Sequence, residues 1–433
     1  MIGKKFILPL CFLPLATLAQ ETALVIQGRI MYGRQGVPYA TLQLMGTSIG
    51  VACNDNGEYT LKIPAGHEND TVLVRSVGYQ SVRVAVGEMK QKSTVKLREQ
   101  TVALREVQIT SFRTPQHLLG VAVEHIDSNY HQKKAWSTFF SRDWRAVDGE
   151  LYLFDEAVMS IRRAPYSTYS DKRAYLFATD KREMKTNYKT LLKHRMVVQD
   201  RELVEEKIGG PEGVDEKMGY ADNEEFYDPV AAPKASFALS HGTLAMHTFE
   251  PIQEFVNDDD VYYLLRSVGP CRVARATMRY EFVVRKSDLV IVRITTAMDS
   301  VNMPVGQDAW INIKYDRMAI ITDSSEWNYD VRDGRYTLTR YYNNQTIGLA
   351  TGDRLTCKVK QRWQQCVDWH LTDFSLEEDT VEGEVIAVRP QTVAGAFGKS
   401  DYSSDFWGQY NSIAIDALPA WLLYEKLMKT KSR

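Results

Sequence analysis

Beyond its first nineteen positions this 433-residue chain has no apolar run approaching the roughly 20 residues that a bilayer-spanning helix needs, so the remainder is expected to be soluble. Positive charge is not in excess either. Lys and Arg number 53 against 55 Asp and Glu, and neither nucleic acid nor an anionic membrane is implied as a partner. No Gly-rich phosphate loop, dinucleotide fingerprint or Ser or Cys nucleophile motif is present. Cysteine is scarce, at five residues. These absences leave no catalytic residue, cofactor site or metal site assigned from the sequence.

What the chain does have begins with a leader. Met1 to Ala19 carries Lys4 and Lys5, an apolar run from Phe6 to Leu18, and a Thr17-Leu18-Ala19 end before Gln20, the layout of a secretory signal peptide. Cys11 is not read as a lipid anchor, because Leu10 stands before it and the apolar run continues past it. Cleavage would take two positive charges from a formal net charge of −2, leaving −4. Four cysteines then remain: Cys53, Cys271, Cys357 and Cys366. Two readings of them stay open. Cys357 and Cys366 would bridge if Lys358 to Gln365 formed two strands and a turn, or all four would be buried thiols acting as small apolar residues.

From Leu24 to Leu97 short period-2 runs alternate with Gly, Asn and Asp turns, the pattern of a small β-sandwich. Val25-Ile26-Gln27-Gly28-Arg29-Ile30 opens it, and Gly28 in a strand marks a bulge or a close backbone approach. Val37-Pro38 sets an extended entry into a strand Tyr39 to Leu44. Asn54-Asp55-Asn56-Gly57 forms a turn in which Gly57 takes positive φ, and it lacks the later bidentate Glu of a calcium loop. Leu73-Val74-Arg75-Ser76-Val77-Gly78-Tyr79 follows. Together these motifs resemble the carboxypeptidase-like regulatory domain, a transthyretin-like, seven-stranded β-sandwich found at the front of Gram-negative envelope proteins. The resemblance implies export and a module without chemistry of its own.

The sandwich is bounded at residues 20–98. Residues 99–116 read as a linker, closed by Thr114-Pro115. Residues 117–433 then form a second, α+β domain of mainly antiparallel sheet. Leu119, Val123, Ile126 and Tyr130 put one apolar stripe on a helix over Leu118 to Lys134. Trp136–Trp144 and Leu151–Ile161 read as strands joined at Asp148-Gly149. Glu202 to Pro233 is the most polar part of the chain and reads as a long surface excursion. From Ser236 the pattern is a meander, including strands at 261–268, 274–285, 289–298, 309–315, 318–322, 336–342, 355–362 and 366–376, and a helix closes the chain at 417–428. Asn129-Tyr130, Phe139-Phe140-Ser141-Arg142, Asp155-Glu156-Ala157 and Ala164-Pro165-Tyr166 resemble the region behind the regulatory module in a family of uncharacterised envelope proteins. Helix then meander also resembles the half-barrel of lipoprotein carriers, which implies an apolar ligand on the concave face. The alternative is an ordinary α+β core. In either case Trp310, Trp327, Trp363 and Trp369 are the candidate walls of any ligand site.

Two further constellations bear on chemistry. His247-Thr248-Phe249-Glu250 with His370 downstream matches the ligand types of a zinc carboxypeptidase, two imidazoles and a carboxylate leaving one position open. That enzyme needs a doubly wound α/β domain, whereas these residues lie in a β meander. Asp258-Asp259-Asp260 reads as a solvated loop. The expectation is therefore a non-catalytic exported envelope protein, periplasmic or associated with the outer membrane, that binds a peptide, a glycan, a lipid or another envelope protein. The alternative is a metal-dependent hydrolase on His247, Glu250 and His370.

Overall fold

The computed structural model describes residues 24–47, 49–54, 56–76, 78–99, 105–106, 112–167, 175–186, 228–234, 236, 238–258, 260–268, 277–304, 317–351, 358–376, 386–388, 407 and 410–412. The leader, Cys271, Trp310, Cys357, the expected strand 309–315 and the expected helix 417–428 lie outside them.

Eight strands build the front of the chain: β1 (Leu24–Tyr32), β2 (Gln35–Gly36), β3 (Thr41–Leu44), β4 (Gly50–Ala52), β5 (Glu58–Ile63), β6 (Thr71–Arg75), β7 (Val82–Ala85) and β8 (Thr94–Lys96), with helix α1 (Val86–Gln91) between the last two. They form two four-stranded sheets. One runs β2-β1-β5 with β8 on β1, and the other β4-β3-β6-β7. Alternation closes the space between them: Tyr59, Leu61 and Ile63 point inward from β5 and meet Leu42, Leu44, Val72 and Val74. The turn before β5 is built as its residues dictate. Asn54 Oδ1 accepts from the amides of Asn56 (3.0 Å) and Glu58 (2.8 Å), and Gly57 sits at φ 77°. Gly28 marks a close approach, since a Cβ there would lie 2.0 Å from the Ser93 carbonyl oxygen. Tyr39 departs from expectation. It is not in the strand but at φ 55°, a left-handed conformation that bulky residues rarely adopt.

The rest comprises β9 (Arg105–Glu106), α2 (Pro115–Glu124), α3 (Ile126–Asn129), β10 (Ala135–Val147), β11 (Glu150–Arg163), β12 (Tyr175–Thr186), α4 (His241–Met246), β13 (Thr248–Phe249), β14 (Gln253–Asn257), β15 (Asp260–Val268), β16 (Thr277–Arg285), β17 (Ile291–Pro304), β18 (Arg317–Arg332), β19 (Arg335–Thr351), β20 (Lys358–Leu376) and β21 (Ile386–Val388). The β elements make one sheet of thirteen strands in the order β21-β12-β11-β10-β20-β19-β18-β17-β16-β15-β14-β9, with β13 on β15, and every pairing is antiparallel. Consecutive strands from β14 to β20 are neighbours, the expected meander. The β10–β12 group joins it through β10 and β20. Among the described residues the sheet does not close into a barrel.

Three expectations are corrected here. The helix over Leu118 to Lys134 is two helices, broken at His125 and finished at Asn129; Thr114 caps the first by accepting from the His117 amide (3.1 Å), with Pro115 in its first turn. The apolar stripe holds: Leu119, Ile126 and Tyr130 are buried, and Val123 packs beside them against the sheet. The strands expected at 355–362 and 366–376 are one strand, β20. Lys358 and Cys366 are therefore about 26 Å apart along extended chain, and the hairpin that would bring Cys357 to Cys366 is not what this segment forms. Cys366 is a free buried thiol, pushed far up in pKa by burial. Finally, the end of the polar stretch is not a surface excursion. Asp228 is buried, paired with Arg163, and accepts from the hydroxyls of Tyr166 (3.0 Å) and Tyr329 (2.7 Å) and the amides of Val230 (3.1 Å) and Ala231 (3.3 Å).

Candidate functional site

The centre of the large sheet, on the face that carries α2 and α3, is ordered in cross-strand rows. One row is aromatic: Trp369 on β20 faces Tyr341 on β19, which faces Trp327 on β18. Tyr341 packs against both tryptophans, with ring centroids 5.6 and 5.5 Å apart. Two residues further along each strand, about 7 Å away, comes Asp143–Val367–Asn343–Ser325–Thr296, and after it Arg145–Gln365–Gln345–Asp323. A third step reaches Trp363 opposite Ile347. Side chains directly opposite have Cβ atoms about 5 Å apart, so these residues form one polar band between aromatic borders.

The band is held by its own contacts. Asp323 accepts from Asn343 Nδ2 (2.9 Å) and Gln345 Nε2 (3.1 Å), and Asn343 Nδ2 also reaches Ser325 Oγ (2.9 Å). Arg145 holds Asp143 through Nη2 to Oδ2 at 2.8 Å. Burial raises the pKa of Asp323, and the two amides offset only part of that. Two of the band's acceptors are left over. Asn343 Oδ1 and Gln365 Oε1 are shut from solvent and receive no hydrogen bond, in residues only 3% and 8% exposed. Buried carbonyls are nearly always paired. Asn343 is not ambiguous in its amide flip, since its nitrogen must face the Asp323 carboxylate.

The opposite face of the same strands holds the sandwich. Ala52 of β4 packs with Phe140, Val158 and Trp407. The Tyr39 ring lies under the Arg340 guanidinium, 4.5 Å from its centroid, and Arg340 grips Asp368 through Nε (3.1 Å) and Nη2 (3.2 Å). Burial works against both charges. Their mutual attraction outweighs it, so Arg340 is raised and Asp368 depressed. Lys62 Nζ donates to the carbonyls of Trp407 (3.1 Å) and Tyr410 (2.7 Å), and the Asn411 amide clamps the Lys62 backbone N–H (2.6 Å) and carbonyl (3.0 Å). Asp258, in the exposed turn between β14 and β15, accepts from the Ser81 amide (2.9 Å) and hydroxyl (2.6 Å).

The structure does not bring His247, Glu250 and His370 together. His247 caps α4, donates from Nδ1 to the Thr243 carbonyl (2.7 Å) and stands edge-on to Tyr280 of β16, on the helix-bearing face. Glu250 is exposed. His370 lies on β20 beside Trp369 and so points to the other face; β20 and β16 are four strands apart, about 19 Å. Its Nε2 is 3.0 Å from Asp368 Oδ1 but off the line of a hydrogen bond, and burial lowers its pKa. Among the described residues no three His, Cys, Asp or Glu side chains are grouped to hold a metal ion. Of the four tryptophans singled out, Trp327, Trp363 and Trp369 share the band's face. The amides between them were missed, although Asp323, Ser325, Asn343, Gln345, Gln361 and Gln365 repeat at period 2 inside long strands that disfavour them.

Residues 26–109, the stretch that holds the sandwich, match the family model of the CarboxypepD_reg-like domain, and the match runs eleven residues past the boundary read at residue 98. No curated protein matches the chain. Two solved structures show weak likeness. A DUF1329 family protein from Desulfovibrio piger is 11% identical, with 61% of this chain and 92% of that one covered at a TM-score of 0.22. A protein of unknown function from Bacteroides fragilis, described as membrane-associated, is 12% identical, with 81% and 96% covered at a TM-score of 0.14. Neither score carries an argument. No helix among the described residues is long and apolar enough to cross a membrane.

Proposed function

We propose that the chain is an exported envelope protein, periplasmic or associated with the outer membrane, that binds a partner or ligand through its large sheet. In this reading residues 1–19 are a cleaved signal peptide, 20–98 a docking module, 99–116 a linker and 117–433 the binding domain. One observation carries the binding role: two buried amide carbonyls, Asn343 Oδ1 and Gln365 Oε1, face a band of polar residues without a donor. A folded protein rarely leaves such groups unpaired, and a bound molecule would supply the donors. The docking role is supported by the sandwich's contacts with the rest of the chain: Ala52 and Tyr39 on the opposite face of the sheet, Lys62 on the Trp407 and Tyr410 carbonyls, and Ser81 on Asp258 in the β14–β15 turn.

The test is thermal. The secreted chain, with its N-terminus read by mass spectrometry, is melted with and without an envelope extract. A rise in Tm that Gln365→Met abolishes supports the reading. Equal rises for parent and variant, or none, overturn it.

A further inference from the structure

We propose that the junction between the sandwich and the large sheet is a pH-sensitive clasp, in which His370 takes up the proton and acid releases the sandwich. The inference rests on the docking contacts and is independent of what the band binds. His370 lies under the footprint of the sandwich. Its cross-strand neighbours are Phe140 on β10 and Arg340 on β19. The sandwich covers both, with Ala52 packed on Phe140 and the Tyr39 ring on the Arg340 guanidinium. β4 lies against β20 itself, and His370 is left 6% exposed.

The charges around it come from three strands. Asp368 of β20 is 3.0 Å from its Nε2, Arg340 faces it from β19, and Arg142 acts on it from β10. Both arginines are engaged: Arg340 holds Asp368 and reaches Glu326 of β18 (3.4 Å), and Arg142 donates to Glu156 of β11 (2.9 Å). Ala52, Tyr39, Trp407 beside Phe140 and Tyr410 beside Thr372 close the other side. Among the described residues the sandwich sets no carboxylate against His370. An imidazolium here would be shut from water near two guanidiniums, with its nearest counter-charge, Asp368, off the line of a hydrogen bond. Burial disfavours a charged form, and it outweighs Asp368 in lowering the proton affinity of His370.

Undocking returns water to the imidazole while Asp368 stays beside it on the same strand. The undocked form therefore binds the proton more tightly. Docking is then strongest above the ordinary histidine range, about pH 6.5, and weakens as pH falls through it. Release bares the Arg142–Glu156 and Arg340–Asp368 pairs, a charged surface that the docked sandwich hides.

The experiment follows two amides whose acceptors lie across the junction, Lys62 N–H on Asn411 Oδ1 (2.6 Å) and Ser81 N–H on Asp258 Oδ1 (2.9 Å). The full secreted chain, labelled with 15N-lysine and 15N-serine, is exchanged in steps from about pH 7.5 to about pH 5, which brackets the histidine range. Each rate is divided by the intrinsic rate at that pH. One proton changes such an equilibrium at most about tenfold per pH unit, and both amides are expected to lose protection together, by about threefold or more. His370→Gln and His370→Phe cannot ionise, and in them the loss should fall below about twofold. Asp330→Asn removes the contact with Arg75 across the junction (2.8 Å) and should lower protection at every pH without changing its pH dependence. In the parent the midpoint should match the titration of the His370 imidazole by proton NMR, which decides the matter if both His370 variants lose the fold. Protection that is flat with pH, a loss that persists in the folded variants, or a midpoint that departs from the imidazole titration overturns the proposal. So does a loss at one amide alone, which reports a local opening and not release of the sandwich.

Discussion

Replacing Asp228 with alanine removes the acceptor at the centre of the large domain's buried polar cluster. Arg163 is 4% exposed at its side chain and Asp228 3%. Burial alone would lower the arginine's pKa, but Tyr166 and Asp228 beside it reverse that, and it is raised. Breaking a buried pair by removing one partner costs about 3–5 kcal/mol. The hydroxyls of Tyr166 and Tyr329 lose an acceptor as well, at about 1–3 kcal/mol each if no water replaces it. About 5 kcal/mol is the expected loss, a large share of the roughly 5–15 kcal/mol that holds a domain together. Asp228→Asn keeps the shape and most acceptors and should cost less, about 3 kcal/mol, since it leaves only the charge unmatched. The double change Asp228→Leu with Arg163→Met should recover much of the loss, because apolar residues of similar volume often replace a buried pair at no net cost. Urea melts followed by tryptophan fluorescence report chiefly this domain, as all eight tryptophans lie at or beyond Trp136. A loss below 1 kcal/mol for Asp228→Ala would refute the view that this cluster anchors the segment.

Three further outcomes are expected. Gly57→Val should lower the sandwich's calorimetric transition by about 2 kcal/mol or more: a side chain at φ 77° costs about 1–3 kcal/mol, and its Cβ would lie 2.3 Å from the Ile30 carbonyl oxygen. Asp323→Asn should raise Tm at pH 7 and leave it nearly unchanged near pH 3.5. The folded pKa of Asp323 is raised by burial, so the folded state binds its proton more tightly than the unfolded chain, and stability is lost as pH rises through that pKa; equal effects at the two pH values would count against this. Asn411→Ala should speed amide exchange at Lys62 by NMR, because β5 is an edge strand whose open backbone that side chain covers.

The sandwich was legible because its information is local. Asn54, Asn56 and Gly57 define a turn by their own chemistry, and each flanking strand shows its alternation within six residues. In the large domain the existence of strands was legible and their length was not. Trp363-Gln364-Gln365 contains no Gly, Pro or Asp to end a strand, and where two strands were expected β20 runs through it for 19 residues. Polarity misled at Asp228. Whether a carboxylate is solvated or buried depends on a partner 65 positions away, Arg163, and composition carries no trace of that pairing. Tyr39 has the same origin: Val37-Pro38 argues for extended backbone, and the left-handed turn that follows places the ring under Arg340, 301 positions further on.

The band shows why a site of this kind escapes motif reading. Its members come from five strands, and Arg145, Asp323, Gln345 and Gln365 become neighbours only through the register of β10 against β20, β20 against β19 and β19 against β18. A shift of one residue in any of those pairings would turn that strand's polar residues to the sandwich face and put Cys366 or Asn344 in their place. Register, in turn, is pinned by the aromatic row, since Trp369, Tyr341 and Trp327 must all face the buried helices. The same tryptophans that looked like ligand walls in the sequence therefore have a first duty to the fold, and the amides beside them, whose carbonyls the fold leaves unpaired, are where binding specificity would reside.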